Sequence, residues 1–303
     1  MQEIQLGTSE QQAKAASRTT RLSETQLSDA LSAMREDGIV CVKGAVATDL
    51  IAVLNEKMQA DLDNRTPSRK VNAWNSLRPP PFHPYLYEEI VYNEAATAIC
   101  RGLLGARATL TTYGANTSWP GQSEPQNVHR DVPDGIITDG CPAVVLNYPL
   151  TEFTVENGAT LIYPESHRTS VAEAGGTRKY SEAMLAKQAR ARQPEQTVGI
   201  GPGDLIARDL RLWHGGMPNV SDERRIMLAL VVIDPDYTDA DETGFKGFEA
   251  EQGSDDFWRN PRLETSVEFV PAGDRSYYQH GHHSTPPTAL YRDWQMRKGP
   301  SKT

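Results

Sequence analysis

Three side chains in this sequence have the types and spacing of a metal site. The stretch Gln126-Asn127-Val128-His129-Arg130-Asp131 puts a histidine and a carboxylate two residues apart. If that stretch is extended, both side chains leave the same face. A third donor follows in Leu212-Trp213-His214-Gly215-Gly216, where two glycines after the histidine let backbone or ligand approach closely. Two imidazoles and one carboxylate leave three positions open on an octahedral ferrous ion. A 2-oxo acid can chelate through two of them, and dioxygen can take the third. Arg224 and Arg225 follow and open the apolar run 225–233. An arginine entering a buried strand needs an anionic partner, and a carboxylate matches the guanidinium fork. Each piece alone is weak: a lone His-x-Asp suits a solvated strand end, and a lone His214 suits a satisfied core histidine. The signal is the combination.

The elements that must position these groups are strands. From Arg107 onward the apolar period shortens. Ala108 to Tyr113, Ala143 to Tyr148, Ala159 to Tyr163, Asp204 to Asp209 and Arg225 to Ile233 read as short strands between Gly, Pro and Asn turns. Helices come before them. Ser23 and Gln26 spell a capping box that opens a helix through about Asp37, ended by Gly38. Ile39 to Lys43 is a β-branched strand. Thr48 starts a helix with Leu50, Ile51, Leu54 and Met58 on one stripe, and Glu88 to Leu104 is helical again. The class is therefore α+β with a central β core at about 107–235, in one domain over 23–303.

Three segments lie outside that plan. Residues 1–22 read as a flexible lead. Residues 63–87 hold Trp74, three prolines in a row and Tyr85 without periodicity, which fits either a lid over a site or plain surface packing. Residues 236–303 form a C-terminal extension with His280-Gly281-His282-His283, read as an exposed or packed tail. Its Tyr277, Tyr278, Tyr291 and Trp294 suit a substrate mouth or a dimer surface, so a homodimer stays open.

Composition excludes several classes. The net charge of −9 argues against a nucleic-acid partner, which needs a basic face. No run of about 18 apolar residues is present, so no membrane span is expected. Residues 1–21 are polar and lack the apolar stretch of a secretory signal. Cys41, Cys100 and Cys141 are scattered, as in a reduced protein of the cytoplasm.

With these motifs in order, the chain resembles the phytanoyl-CoA dioxygenase-like family of Fe(II)/2-oxoglutarate oxygenases, in its natural-product branch. The resemblance runs over roughly 28–235. Its pieces include Glu36-Asp37-Gly38-Ile39, Gln126-x-x-His129-Arg130-Asp131, Glu156-Asn157-Gly158-Ala159-Thr160, Tyr163-Pro164-Glu165-Ser166-His167, Gly203-Asp204 and Trp213-His214-Gly215-Gly216. It implies a double-stranded β-helix (jelly-roll) with flanking helices. It implies His129, Asp131 and His214 as iron ligands, and Gln126 as a hydrogen-bond donor to 2-oxoglutarate. Thr160 is a weaker co-substrate contact. Family spacing selects Arg225 for the far carboxylate of 2-oxoglutarate, with Arg224 as the alternative on the opposite face of the strand. One departure is Glu165, where many members have glycine; His167 is read as fixing the turn there.

The expected activity is oxidation of an unactivated C–H bond of a small organic molecule, by hydroxylation, desaturation or rearrangement, with O2 consumed and succinate and CO2 released. Two alternatives remain. One is a non-catalytic cupin-like metal- or ligand-binding protein. The other is a different metal enzyme on the same barrel, for which Gln126 and Arg225 would have no co-substrate to hold.

Overall fold

The sheet that carries the site runs in the order β1-β2-β7-β4-β9-β3-β11. The computed structural model describes residues 1–6, 21–63, 85–131, 140–169, 180–235 and 247–271. In chain order the strands are β1 (Gln2–Gln5), β2 (Ile39–Lys43), β3 (Thr109–Ser118), β4 (Ala143–Pro149), β5 (Leu161–Tyr163), β6 (Glu195–Gln196), β7 (Leu205–Asp209), β8 (Trp213–Gly215), β9 (Arg225–Ile233), β10 (Phe248–Glu251), β11 (Glu264–Thr265) and β12 (Val267–Val270). The helices are α1 (Glu24–Glu36), α2 (Thr48–Asp63), α3 (Glu88–Val91), α4 (Glu94–Leu104), α5 (Glu182–Ala191) and α6 (Asp255–Trp258). The central pairs of the large sheet are antiparallel; its two edges, β1 on β2 and β11 on β3, are parallel. A smaller antiparallel sheet has the order β6-β5-β8.

Alternation decides which side chains reach the site. Along β9, Ile226, Leu228, Leu230 and Val232 join Val144, Leu146 and Tyr148 of β4 and Leu205 and Ala207 of β7 in one core, shared with Met34, Ile51, Leu54 and Ile99 of the helices. The opposite face carries Ile39 and Cys41 of β2, Ile206 of β7 and Met227 of β9, packed with Phe153, Ala159 and Ile162 near the small sheet. The large sheet is thus buried on both faces, by helices on one and by the small sheet on the other, and so its strands read as continuous apolar runs. Each fully buried aliphatic side chain contributes about 1.5–3 kcal/mol. Two tyrosine tips in this core are satisfied: Tyr148 donates to the Ile90 carbonyl at 2.9 Å and Tyr113 to the Tyr85 carbonyl at 2.8 Å.

Helix α1 starts as its sequence demands. The Ser23 hydroxyl accepts from the Gln26 amide at 3.2 Å, and the Gln26 side chain accepts from the Ser23 amide at 2.9 Å. Gly38, at φ +80°, turns the chain into β2. The expected single helix over Glu88–Leu104 is two, because Asn93 caps α4 by accepting from the Ala96 amide at 3.1 Å.

Other boundaries differ from expectation. The lead over 1–22 is not flexible throughout: Gln2–Gln5 pairs in parallel with β2, and its buried Ile4 reaches the core. The sheet is wider than 107–235, since β1, β2 and β11 all belong to it. The C-terminal extension contributes β10, α6, β11 and β12. Residues 64–84 of the lid-like loop, the segment 132–139 and the tail beyond 271, with its histidines and tyrosines, lie outside the described residues.

Candidate metal centre and co-substrate cavity

Residues 126–131 are not a strand. They run antiparallel beside β8 through one isolated bridge, His129 to His214, in which each amide donates to the other's carbonyl at 2.9 Å. The Gln126 amide extends the contact to the Gly216 carbonyl at 2.8 Å. Directly opposed residues in an antiparallel pair project to the same side, so the two imidazoles stand together, with ring centroids 4.5 Å apart. Gly215 permits the approach. A Cβ there would lie 2.8 Å from the Gln126 carbonyl oxygen, which is backbone and cannot swing away. Gly215→Ala is therefore expected to push 126–131 off β8 and weaken divalent-metal binding about 10–100-fold, the range seen when groups that orient ligands are lost. A Co(II) titration checks this; parent-like affinity would show that the close approach is dispensable.

Both imidazoles are fixed in the same way. His129 Nδ1 lies 2.8 Å from the Asn127 carbonyl and His214 Nδ1 lies 3.0 Å from the Leu212 carbonyl. A carbonyl only accepts, so each Nδ1 carries the proton and each Nε2 is left as a lone-pair donor. Those Nε2 atoms face one carboxylate: His129 Nε2 is 3.5 Å from Asp131 Oδ1 and His214 Nε2 is 3.6 Å from Asp131 Oδ2. Ligand atoms of the three residues all lie within 4.8 Å of one another.

The electrostatics favour the metal-binding protonation states. Burial pushes the Asp131 carboxyl up, but the Arg208 guanidinium, then the histidines, outweigh it and hold it well below the usual range. Arg208 Nη2 donates to Asp131 Oδ2 at 2.6 Å. Burial, helped by Arg208, pulls His214 from 6.5 to about 3. The unfolded chain thus binds a proton on His214 between about pH 6.5 and 3 that the folded chain refuses. Stability of the metal-free protein is present above pH 6.5 and lost as pH falls through that window, and Asp131 adds a loss of the same sign below its ordinary 3.8. The effect is of the order of a few kcal/mol. His214→Gln is expected to flatten the pH dependence of the urea midpoint between pH 6.5 and 4; equal slopes in parent and variant would contradict the assignment.

The three residues open onto a cavity of about 160 Å³, also lined by Gln126, Thr160, Arg208 and Arg225. Arg225, only 1% exposed, enters from β9. Its Nε donates to the Asn157 carbonyl at 3.2 Å and its guanidinium carbon sits 4.9 Å from the Phe153 ring centroid. Burial lowers its pKa to about 10, so it is charged at neutral pH. Arg224 points the other way: it donates to Asp63 of α2 at 2.7 Å and lies over Trp119. Gln126 accepts from the Gly216 amide at 3.1 Å through its side-chain oxygen, which turns its amide nitrogen into the group it can offer a ligand.

Sequence reasoning missed Asn116, Asn147 and Arg208, which also line the cavity. A signal existed for Arg208. It is an arginine directly after the apolar run Leu205-Ile206-Ala207 in β7, an anomaly like the one that singled out Arg225. His167 is structural as expected: its Nε2 lies 3.2 Å from the Arg35 carbonyl.

Comparison with known proteins fits this geometry. Residues 34–227 match the family model described as phytanoyl-CoA dioxygenase (PhyH). The chain is similar to the dioxygenase aneA of Aspergillus aculeatus, 28% identical over 217 residues that cover 64% of this chain and 67% of the relative. It is also similar to the iron/alpha-ketoglutarate-dependent dioxygenase ausU of Aspergillus calidoustus, 25% identical over 229 residues, 68% of this chain and 71% of the relative. Among solved structures it shares its fold with SnoK, a non-heme alpha-ketoglutarate-dependent carbocyclase from nogalamycin biosynthesis (TM-score 0.55, 19% identity, 73% of this chain and 87% of that one). EctD from S. alaskensis, solved with 2-oxoglutarate and 5-hydroxyectoine, has the same fold (TM-score 0.51, 21% identity, 70% and 76%). Among the described residues no helix is long and apolar enough to cross a membrane. The family model covers nearly two thirds of the chain, including β2 to β8 and the whole His129–Asp131–His214 cluster: the chain belongs to the phytanoyl-CoA dioxygenase (PhyH) family.

Proposed function

We propose that this dioxygenase oxidises an unactivated C–H bond of a small organic molecule, of the secondary-metabolite class, by hydroxylation, desaturation or oxidative rearrangement. Iron(II) is its metal and 2-oxoglutarate its co-substrate. The observation that carries the reading is the shared cavity: two bare Nε2 atoms and an anionic carboxylate converge at a place that also receives a buried, charged arginine.

The residues fit the group they would hold. His129, Asp131 and His214 supply two nitrogens and an oxygen, a donor set suited to ferrous iron, and Asp131 and His214 are held in the deprotonated forms a metal needs. Bound there, iron and 2-oxoglutarate supply the oxidising power for C–H cleavage, with O2 consumed and succinate and CO2 released. The protein's own part is binding and exclusion of water. Arg225 would take the far carboxylate of 2-oxoglutarate, with Thr160 and the Gln126 amide as further contacts. Ile39, Phe153, Ile162, Ile206 and Met227 give the cavity its apolar walls. Read this way, the two sheets are the halves of a double-stranded β-helix. Buried thiols such as Cys41, raised to about 12 by burial, support a reducing cytoplasmic setting.

The test is succinate formation from 2-oxoglutarate in air by the iron-loaded protein, with and without small organic candidates. Iron-dependent succinate, increased by an accepted substrate, supports the reading. Iron binding without any succinate would favour a non-catalytic binding protein.

A further inference from the structure

Arg208 has no role in the scheme above. It projects from β7 into the cavity and is 8% exposed. One arm of its fork, Nη2, donates to Asp131 Oδ2 at 2.6 Å. The other, Nη1, is buried and has no hydrogen-bond partner among the described residues. A buried guanidinium donor left unmet is costly, so this arm is suited to an acceptor that a ligand brings. The guanidinium is planar with its donors in a fixed fork. That acceptor must therefore lie near Asp131 Oδ2, at the metal end of the cavity.

Arg225 serves a different level of the same cavity. Arg208 is level with Val145 of β4, whereas Met227 is level with Pro149, and Arg225 enters two residues beyond it along β9. The cavity therefore receives two buried cations, one beside the metal ligands and one farther along the sheet. A dianion with a carboxylate at each end matches them in charge and in placement.

We propose that Arg208 is a second anchor for 2-oxoglutarate: Nη1 takes an oxygen of the carboxylate next to the keto group, while Nη2 ties down Asp131 Oδ2. This rests on the functional reading above. The chemistry Nη1 seeks is a carboxylate oxygen, and the organic substrate is the other possible source of one.

The experiment is anaerobic binding of 2-oxoglutarate to full-length protein saturated with Mn(II), for the parent, Arg208→Met, Arg208→Lys, Arg225→Met and the Arg208/Arg225 double variant. Mn(II) affinity is measured separately, and melting curves identify folded variants; if Arg208→Met does not fold, Arg208→Lys and Arg208→Gln carry the test. Arg208→Met is expected to weaken 2-oxoglutarate about tenfold or more at saturating metal. Arg208→Lys should recover part of that loss, and the losses at Arg208 and Arg225 should multiply, as for separate ends of one ligand. Parent-like 2-oxoglutarate affinity in Arg208→Met would overturn the proposal and assign the arm to the organic substrate. A fall in Mn(II) affinity alone would overturn it too, leaving Arg208 as a support for Asp131. If the parent itself binds no 2-oxoglutarate, it is the functional reading that fails.

Discussion

Replacing His214 with alanine is expected to abolish turnover while leaving the protein folded. His214 supplies one of three donors, and no other described histidine or carboxylate stands in that cluster to replace it. The fold does not depend on its charge, because burial keeps it neutral at working pH. The backbone bridge to His129 uses main-chain atoms and survives the change. The loss should exceed about a thousandfold in rate, equivalent to about 4 kcal/mol of barrier. Succinate formation and iron stoichiometry, measured together, check it. A His214→Ala protein that keeps both would remove the imidazole from the metal centre. Asp131→Ala should cost turnover equally but destabilise more, because it strands the Arg208 guanidinium that now rests on it.

Arg225→Met is expected to raise the KM for 2-oxoglutarate by about 10–150-fold, the value of a hydrogen bond between charged groups, 1.5–3 kcal/mol. Stability of the metal-free protein should hold or rise, since a buried charge gives way to an apolar side chain of similar length. Arg224→Met is the control. That guanidinium pairs with Asp63 on the helix side of the sheet, so co-substrate binding should match the parent. If Arg224→Met carries the defect instead, the strand register read from alternation does not describe the working enzyme.

The contrast between these two arginines shows what a sequence can and cannot say. Both precede an apolar run, and spacing from His214 marks either one. Register settles which reaches the cavity: Arg225 shares a face with Met227, away from the helix-side core of Ile226 and Leu228. The candidate ligand residues were legible because few side-chain types bind iron, because His129 and Asp131 lie two apart, and because His214 is followed by two glycines. Strand β9 was legible because its apolar run is long and buried. Strand β3 was read short, ending at Tyr113 rather than Ser118, because Asn116, Thr117 and Ser118 break the apolar pattern although all three pair with β9. Strand β1 was missed because an edge strand with one buried side chain is held by backbone bonds that leave no side-chain pattern. Glu165 was legible as a departure from glycine but not as a conformation. It is the one non-glycine residue at positive φ among those described, at 67°, where a glycine would sit without strain. Arg192 approaches its carboxylate at 3.4 Å. Arg208 needed three dimensions, since its partner Asp131 is 77 residues away.

The most direct test of the central claim is anaerobic. Iron(II) and 2-oxoglutarate are added to the purified protein, and the visible spectrum is read for the charge-transfer band of an iron-bound keto acid. The account predicts a band in the parent that is absent in His129→Ala and His214→Ala and needs more 2-oxoglutarate to saturate in Arg225→Met. Iron bound by the parent with no band at any 2-oxoglutarate concentration would contradict it.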